Sequence, residues 1–126
     1  MTRGRERRVH FRLDHKLPVQ IIANGYDFAT ETKNVSCLGA YCRINKYVPP
    51  FTRVEVKLDL PIAAKQEKKT HAVNCKGVIV RTEDEREGGF NIAVFFNNIK
   101  EDQRKIITRY IKQFTPSEAG ASASAA

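Results

Sequence analysis

Val54-Glu55-Val56-Lys57-Leu58-Asp59-Leu60 sets apolar residues against charged ones in strict alternation. Successive side chains of a β-strand point to opposite faces. This period therefore predicts a half-buried strand, with Val54, Val56, Leu58 and Leu60 inward and Glu55, Lys57 and Asp59 in water. Pro61 is expected to close it, because proline cannot donate a ladder hydrogen bond.

The sequence on either side follows suit. Lys65-Gln66-Glu67-Lys68-Lys69 reads as a solvated loop. His71 to Thr82 reads as a long strand, Glu83 to Gly89 as a charged, glycine-ended hairpin connection, and Phe90 to Phe96 as the returning strand. Upstream, Leu17 to Ala23 is short and apolar and ends at the turn pair Asn24-Gly25. Asp27 to Val35, a turn at Ser36 to Gly39, and Ala40 to Ile44 come next, before Pro49-Pro50 breaks the pattern. Asn98-Ile99-Lys100-Glu101 has the form of a capping box with Asn98 as N-cap. The helix it would start carries Ile106, Ile107, Tyr110, Ile111 and Phe114 on one stripe and stops at Pro116. These elements predict a mainly β fold: a six-stranded antiparallel β-barrel with a C-terminal α-helix covering an opening or an edge. Residues 1–15 read as a flexible arginine-rich arm, 16–115 as the barrel with its helix, and 116–126 as a disordered Ala/Ser tail.

A chain of 126 residues holds one core. Its net charge of +8 is concentrated at the start, where Arg3, Arg5, Arg7, Arg8, Arg12 and Lys16 face only Glu6 and Asp14. A basic arm on a milder body implies an anionic partner. No apolar run is long enough for a membrane span, and no apolar stretch follows the charged start as in a secretory signal. The odd cysteine count, Cys37, Cys42 and Cys75, suits a reducing cytoplasm. Cys37, Cys42, His71 and Cys75 match no common zinc spacing, and the three cysteines read as buried free thiols. Glu83-Asp84-Glu85-Arg86-Glu87 has the composition of a solvated turn rather than a catalytic cluster, and no nucleophile–base constellation stands out.

Two short clusters carry the chemistry. Arg8-x-x-x-Arg12, with Arg7 beside it, offers planar donor forks for phosphate oxygens and flat faces for stacking on bases. Asn34-x-Ser36-x-x-Gly39 offers an amide, a hydroxyl and, at Gly39, freedom for positive φ and close ligand approach. Together they describe a pocket for a small, rigid, doubly phosphorylated ligand.

In this order the clusters resemble the signature of the PilZ domain family, bacterial receptors for cyclic di-GMP. The resembling stretches are Arg7-Arg8-Val9-His10-Phe11-Arg12 and Asn34-Val35-Ser36-Cys37-Leu38-Gly39-Ala40. Gly77-Val78-Ile79-Val80-Arg81 and Gly88 to Phe96 also fit, so the similarity runs from about residue 5 to residue 114. Leu38 departs from the pattern, standing where many relatives carry a second glycine. The resemblance implies a six-stranded barrel and a non-enzymatic receptor. Cyclic di-GMP would be bound by Arg7, Arg8, Arg12, Asn34, Ser36 and Gly39. The output would pass to a protein partner of motility, adhesion or polysaccharide machinery. His10 and Arg81 are further candidates for contact, Arg81 reading otherwise as a solvated strand-end residue. Two rival readings are a basic barrel that binds nucleic acid and a barrel of this fold that docks a partner without nucleotide. Phe90, Phe96, Tyr110 and Phe114 fall on apparent core stripes, which leaves few aromatics for stacking on nucleic acid.

Overall fold

The computed structural model describes residues 12–23, 25–64 and 67–114. Among these residues six strands form in chain order: β1 (Pro18–Ala23), β2 (Tyr26–Val35), β3 (Gly39–Ile44), β4 (Arg53–Ala64), β5 (Glu67–Asp84) and β6 (Phe90–Asn98). One helix, α1 (Glu101–Lys112), follows them. The strands close into an antiparallel barrel in the order β1-β2-β3-β6-β5-β4. The mainly β, six-stranded barrel expected from the sequence is therefore what the chain forms.

The core follows the alternation. Val54, Val56, Leu58, Leu60 and Ile62 of β4 are all at most 4% exposed. Ile21, Val73, Ile79, Ile92 and Phe96 meet them from the other strands. Cys42 and Cys75 are buried in the same core. Burial pushes the Cys42 thiol up to about 12. It pushes the Cys75 thiol up to about 11, with the charge of Arg104 acting in the opposite direction.

Four sequence expectations are corrected. Pro61 does not close β4, which runs on to Ala64, with Pro61 opposite Thr70. β1 pairs with β4 only opposite residues 55 to 58. The far edge of β4 at Pro61 and Ala63 meets Gln113 of the helix region instead, which donates to the Pro61 carbonyl and accepts from the Ala63 N–H. The missing N–H of Pro61 lies on that side, so no bond of the β4–β5 ladder is lost. The Lys65–Lys69 loop shrinks because β5 begins at Glu67. Asn98 is not the helix N-cap: it ends β6, paired with Lys76, and the N-cap is Lys100, whose side chain makes no capping bond. Glu101 and Asp102 in the first turn still complement the helix dipole. Phe114 is not in the core. The helix ends at Lys112, and Phe114, 42% exposed, packs on His15 at a ring distance of 4.3 Å.

The helix buries Ile107, Tyr110 and Ile111 and lies against β4 and β5. Gln103 accepts from the Asn74 N–H of β5, as Gln113 does from β4, so the helix satisfies backbone groups that have no neighbouring strand. Among the described residues, no helix is long and apolar enough to cross a membrane.

Candidate functional site

The turn after β2 is held from several sides. The Ser36 N–H donates to the Gly39 carbonyl (2.9 Å) and the Leu38 N–H to Ser36 Oγ (3.1 Å). Arg104 of α1 donates to the Cys37 carbonyl (2.8 Å), and the Phe96 N–H of β6 to the Leu38 carbonyl (2.8 Å). Ser36 Oγ accepts in this turn, and its hydroxyl can also donate. Leu38 has a negative φ, so the turn does not need the glycine that it replaces.

Gly39 is used differently from the expectation. It has no positive φ; it begins β3 in extended conformation. A Cβ there would stand 2.2 Å from the Val94 carbonyl oxygen. The position demands glycine because β3 and β6 approach closely, and the missing side chain leaves the surface open.

Residues 12–15, expected within the arm, lie along β2. Leu13 and Val35 exchange backbone bonds of 2.8 and 3.0 Å, which in antiparallel register sets Arg12 opposite Ser36. Buried Thr32 locks the next residues, its hydroxyl donating to the His15 carbonyl (2.6 Å) and accepting from the Leu17 N–H (3.0 Å). His15 Nδ1 lies 3.0 Å from the Tyr110 hydroxyl, so the segment following Arg12 is clasped to the helix. Arg7, Arg8 and His10 lie outside the described residues, as does the tail from residue 115.

Arg12, Asn34, Ser36 and Gly39 line one cleft of about 880 Å³, together with Arg81 and Phe95. That size lies within the roughly 300–1,000 Å³ of small-ligand sites. Irregular registers assemble it. The β2–β3 register shifts between Thr32 and Asn34, and buried Thr32 and Val35 stand three residues apart rather than two. The bulge inverts the phase of the strand and turns Asn34 outward. A second shift between Ile79 and Arg81 does the same on β5, so Arg81 faces out although Ile79 is buried. Asn34 then pairs with Tyr41, Tyr41 with Ala93 and Ala93 with Arg81. This row crosses four strands, roughly 14 Å at a strand spacing of about 4.8 Å.

Small Ala93 makes a saddle over which the Tyr41 ring and the Arg81 guanidinium meet at 5.8 Å. Glu83 takes Arg81 Nε at 2.9 Å and accepts from the Tyr41 hydroxyl at 3.0 Å. Lys33 and Asn91 both donate to Glu85, and these bonds hold its carboxyl below the usual carboxylate range. The acidic run is thus a solvated hairpin, with the Glu83 and Glu85 carboxylates partnered, turned by Gly88 and Gly89 at φ 108 and 77. Among the described residues, no three His, Cys, Asp or Glu side chains converge to hold a metal ion. Sequence reasoning did not single out Tyr41, Ala93 or Phe95 as cleft residues, and only strand register could have revealed them.

No curated protein matches the chain. Among solved structures, the chain resembles the inhibitor of motility MotI/DgrA of Bacillus subtilis: 17% identity, 83% of this chain covered and TM-score 0.69. It spans half of that protein's length. It also resembles the PilZ domain of YcgR from Escherichia coli, solved with c-di-GMP: 13% identity, TM-score 0.58, with 94% of this chain and 98% of that one covered. At such identities the likeness speaks for the fold. The PilZ domain family model matches residues 6–113, which takes in both sequence clusters, the barrel and the helix, and the chain belongs to the PilZ domain family.

Proposed function

We propose that the protein is a receptor for cyclic di-GMP, not an enzyme, working in the cytoplasm. One observation carries this reading: a single cleft gathers Arg12, Asn34, Ser36 and Gly39, which are scattered over an arm, a strand and a turn. Cyclic di-GMP has two phosphodiester charges and two guanines. Arg12, with Arg7 and Arg8 from the arm, neutralises the phosphates through charge-assisted bonds worth roughly 1.5–3 kcal/mol each. Asn34 and Ser36 supply donors and acceptors for a guanine, and Gly39 keeps the floor open to it. The YcgR domain solved with c-di-GMP supports the choice of ligand.

The proposed mechanism is ordering of the arm. Ligand draws the part of the arm that precedes Arg12 onto the barrel, extending the contact that Leu13 already makes with Val35. His15, on Tyr110 and Phe114, relays this to the helix. The changed surface then engages or releases a protein of motility, adhesion or polysaccharide machinery. That MotI/DgrA is an inhibitor of motility supports a motility setting.

Calorimetric titration of the full chain with cyclic di-GMP tests the reading. Saturable binding is expected, and Arg12→Ala should weaken it at least tenfold, about 1.4 kcal/mol. Absence of heat at tens of micromolar ligand would sink the receptor assignment.

A further inference from the structure

The loop between β3 and β4 has no role in the reading above. It carries the most exposed large apolar side chain among the described residues, Phe51 at 79%. We infer that Phe51, with Val80 beside it and Arg53 at its flank, is a docking site for a protein partner that presents an apolar pocket edged by carboxylates. Phe51 and Arg53 lie outside the cleft lining, and the inference stands whichever ligand the cleft takes.

Backbone strain argues first. Phe51 has φ 71 and, among the described residues, is the only one besides glycines with a positive φ. A bulky L side chain crowds its own backbone in that region. Phe51 and Thr52 together face Ile79 of β5: the Phe51 N–H donates to the Ile79 carbonyl, and the Thr52 carbonyl accepts from the Ile79 N–H (2.9 Å). This is the bond pattern of a β-bulge whose first, left-handed residue is normally glycine. An exposed phenylalanine by itself calls for no explanation. One held in a glycine's conformation, with no burial to offset the strain, points to a use outside the fold.

Rigidity argues second. Val48, 2% exposed, anchors the loop in the core, and its carbonyl accepts from Thr82 Oγ1 (2.7 Å). The Pro49 carbonyl accepts from Thr52 Oγ1 (2.7 Å), and Pro49 and Pro50 have φ fixed by their rings. The Phe51 ring thus projects from backbone that is already ordered, so docking costs little further freedom. Rigidly presented aromatics are what interfaces use as anchors.

The surroundings argue third and select the partner. Val80 follows Ile79 and is 44% exposed, so a second apolar side chain adjoins the Phe51 backbone. Arg53 is exposed and makes no ion pair among the described residues. Arg81, next to Val80, is already paired with Glu83, and Lys76 stands opposite Glu55. Arg53 therefore leaves one uncompensated positive charge at the flank, which a partner carboxylate complements. A second copy of the chain is a poor occupant, because it brings the same Arg53 and a net charge of +8.

The test pans a random-peptide display library against the full chain without nucleotide, with counter-selection on Phe51→Gly. Enriched peptides should combine apolar residues with Asp or Glu. A synthetic copy of the strongest, titrated by fluorescence anisotropy, should bind about tenfold or more weakly to Phe51→Gly and to Arg53→Glu. Phe51→Gly should at the same time raise the urea midpoint, because glycine takes the left-handed φ without strain, and lost docking is then separated from lost folding. Its affinity for cyclic di-GMP should match wild type. A lower urea midpoint in Phe51→Gly makes the residue structural and overturns the inference. So does a library that yields no enriched peptide, or peptides that bind Phe51→Gly or Arg53→Glu as well as wild type. Sedimentation showing self-association of wild type that Phe51→Gly abolishes gives the site to a second copy and overturns the stated partner. Each of these failures leaves the receptor reading standing, since the panning uses no nucleotide.

Discussion

β4 and the cleft wall are made of the same kind of strand, used in opposite ways. In β4 the alternation holds from Val54 to Ile62, every second side chain is buried, and the register with β5 runs unbroken over twelve pairs. On the cleft wall the registers of β2 with β3 and of β5 with β6 are interrupted, and Asn34 and Arg81 face out where unbroken alternation would have turned them inward. Regular strands build the core; interrupted ones present polar groups without giving up the ladder. A bulge therefore exchanges one unit of pairing regularity for a change of face, which is how a small barrel makes a polar site on an otherwise regular wall.

The largest test strikes the regular side. Leu58→Ala removes a side chain that is 0% exposed, and should lower unfolding free energy by about 2–5 kcal/mol in urea denaturation. A loss under ~1 kcal/mol would mean that β4 is not the centre of the core. Gly39→Ala comes next, because it sits where the two regimes meet. Its Cβ would press on the Val94 carbonyl, so about 1–3 kcal/mol of stability should go, together with ligand binding. Tolerance with full stability would show that β3 and β6 can separate. Ala93→Leu separates site from core: the saddle fills, cyclic di-GMP affinity falls about tenfold, and stability stays within about 0.5 kcal/mol. If binding survives this change, the ligand does not cross the row.

The smallest effect concerns the hairpin beside the cleft. Bonds from Lys33 and Asn91 lower the Glu85 pKa in the folded state. A folded pKa below the unfolded one contributes stability that is present above the unfolded pKa and lost as pH falls through the folded one. In an NMR titration the Glu85 carboxyl should respond below the usual carboxylate range, and Lys33→Met should move it back up. No movement would remove Lys33 as the cause.

Much of this was legible in the residues. The alternation in β4, the hairpin glycines and the helix stripe at Ile107, Tyr110 and Ile111 each reflect a local period or a local backbone need. The capping box failed because Asn98 had a competing partner, Lys76, in the β5–β6 ladder. Pro61 misled because whether a proline breaks a strand depends on which edge its nitrogen faces, and that edge is defined by the reach of β1 and by Gln113.

By itself the sequence determined the strand content, the mainly β class and the residue types of the candidate site, since these follow from side-chain period and chemistry along the chain. Only the tertiary structure decided that Asn34, Tyr41, Ala93 and Arg81 form one row, and that Gly39 serves a close strand approach rather than a turn. The physical reason is register: a shift of one residue reverses the face of everything beyond it, and the partners that set the shift lie dozens of residues away.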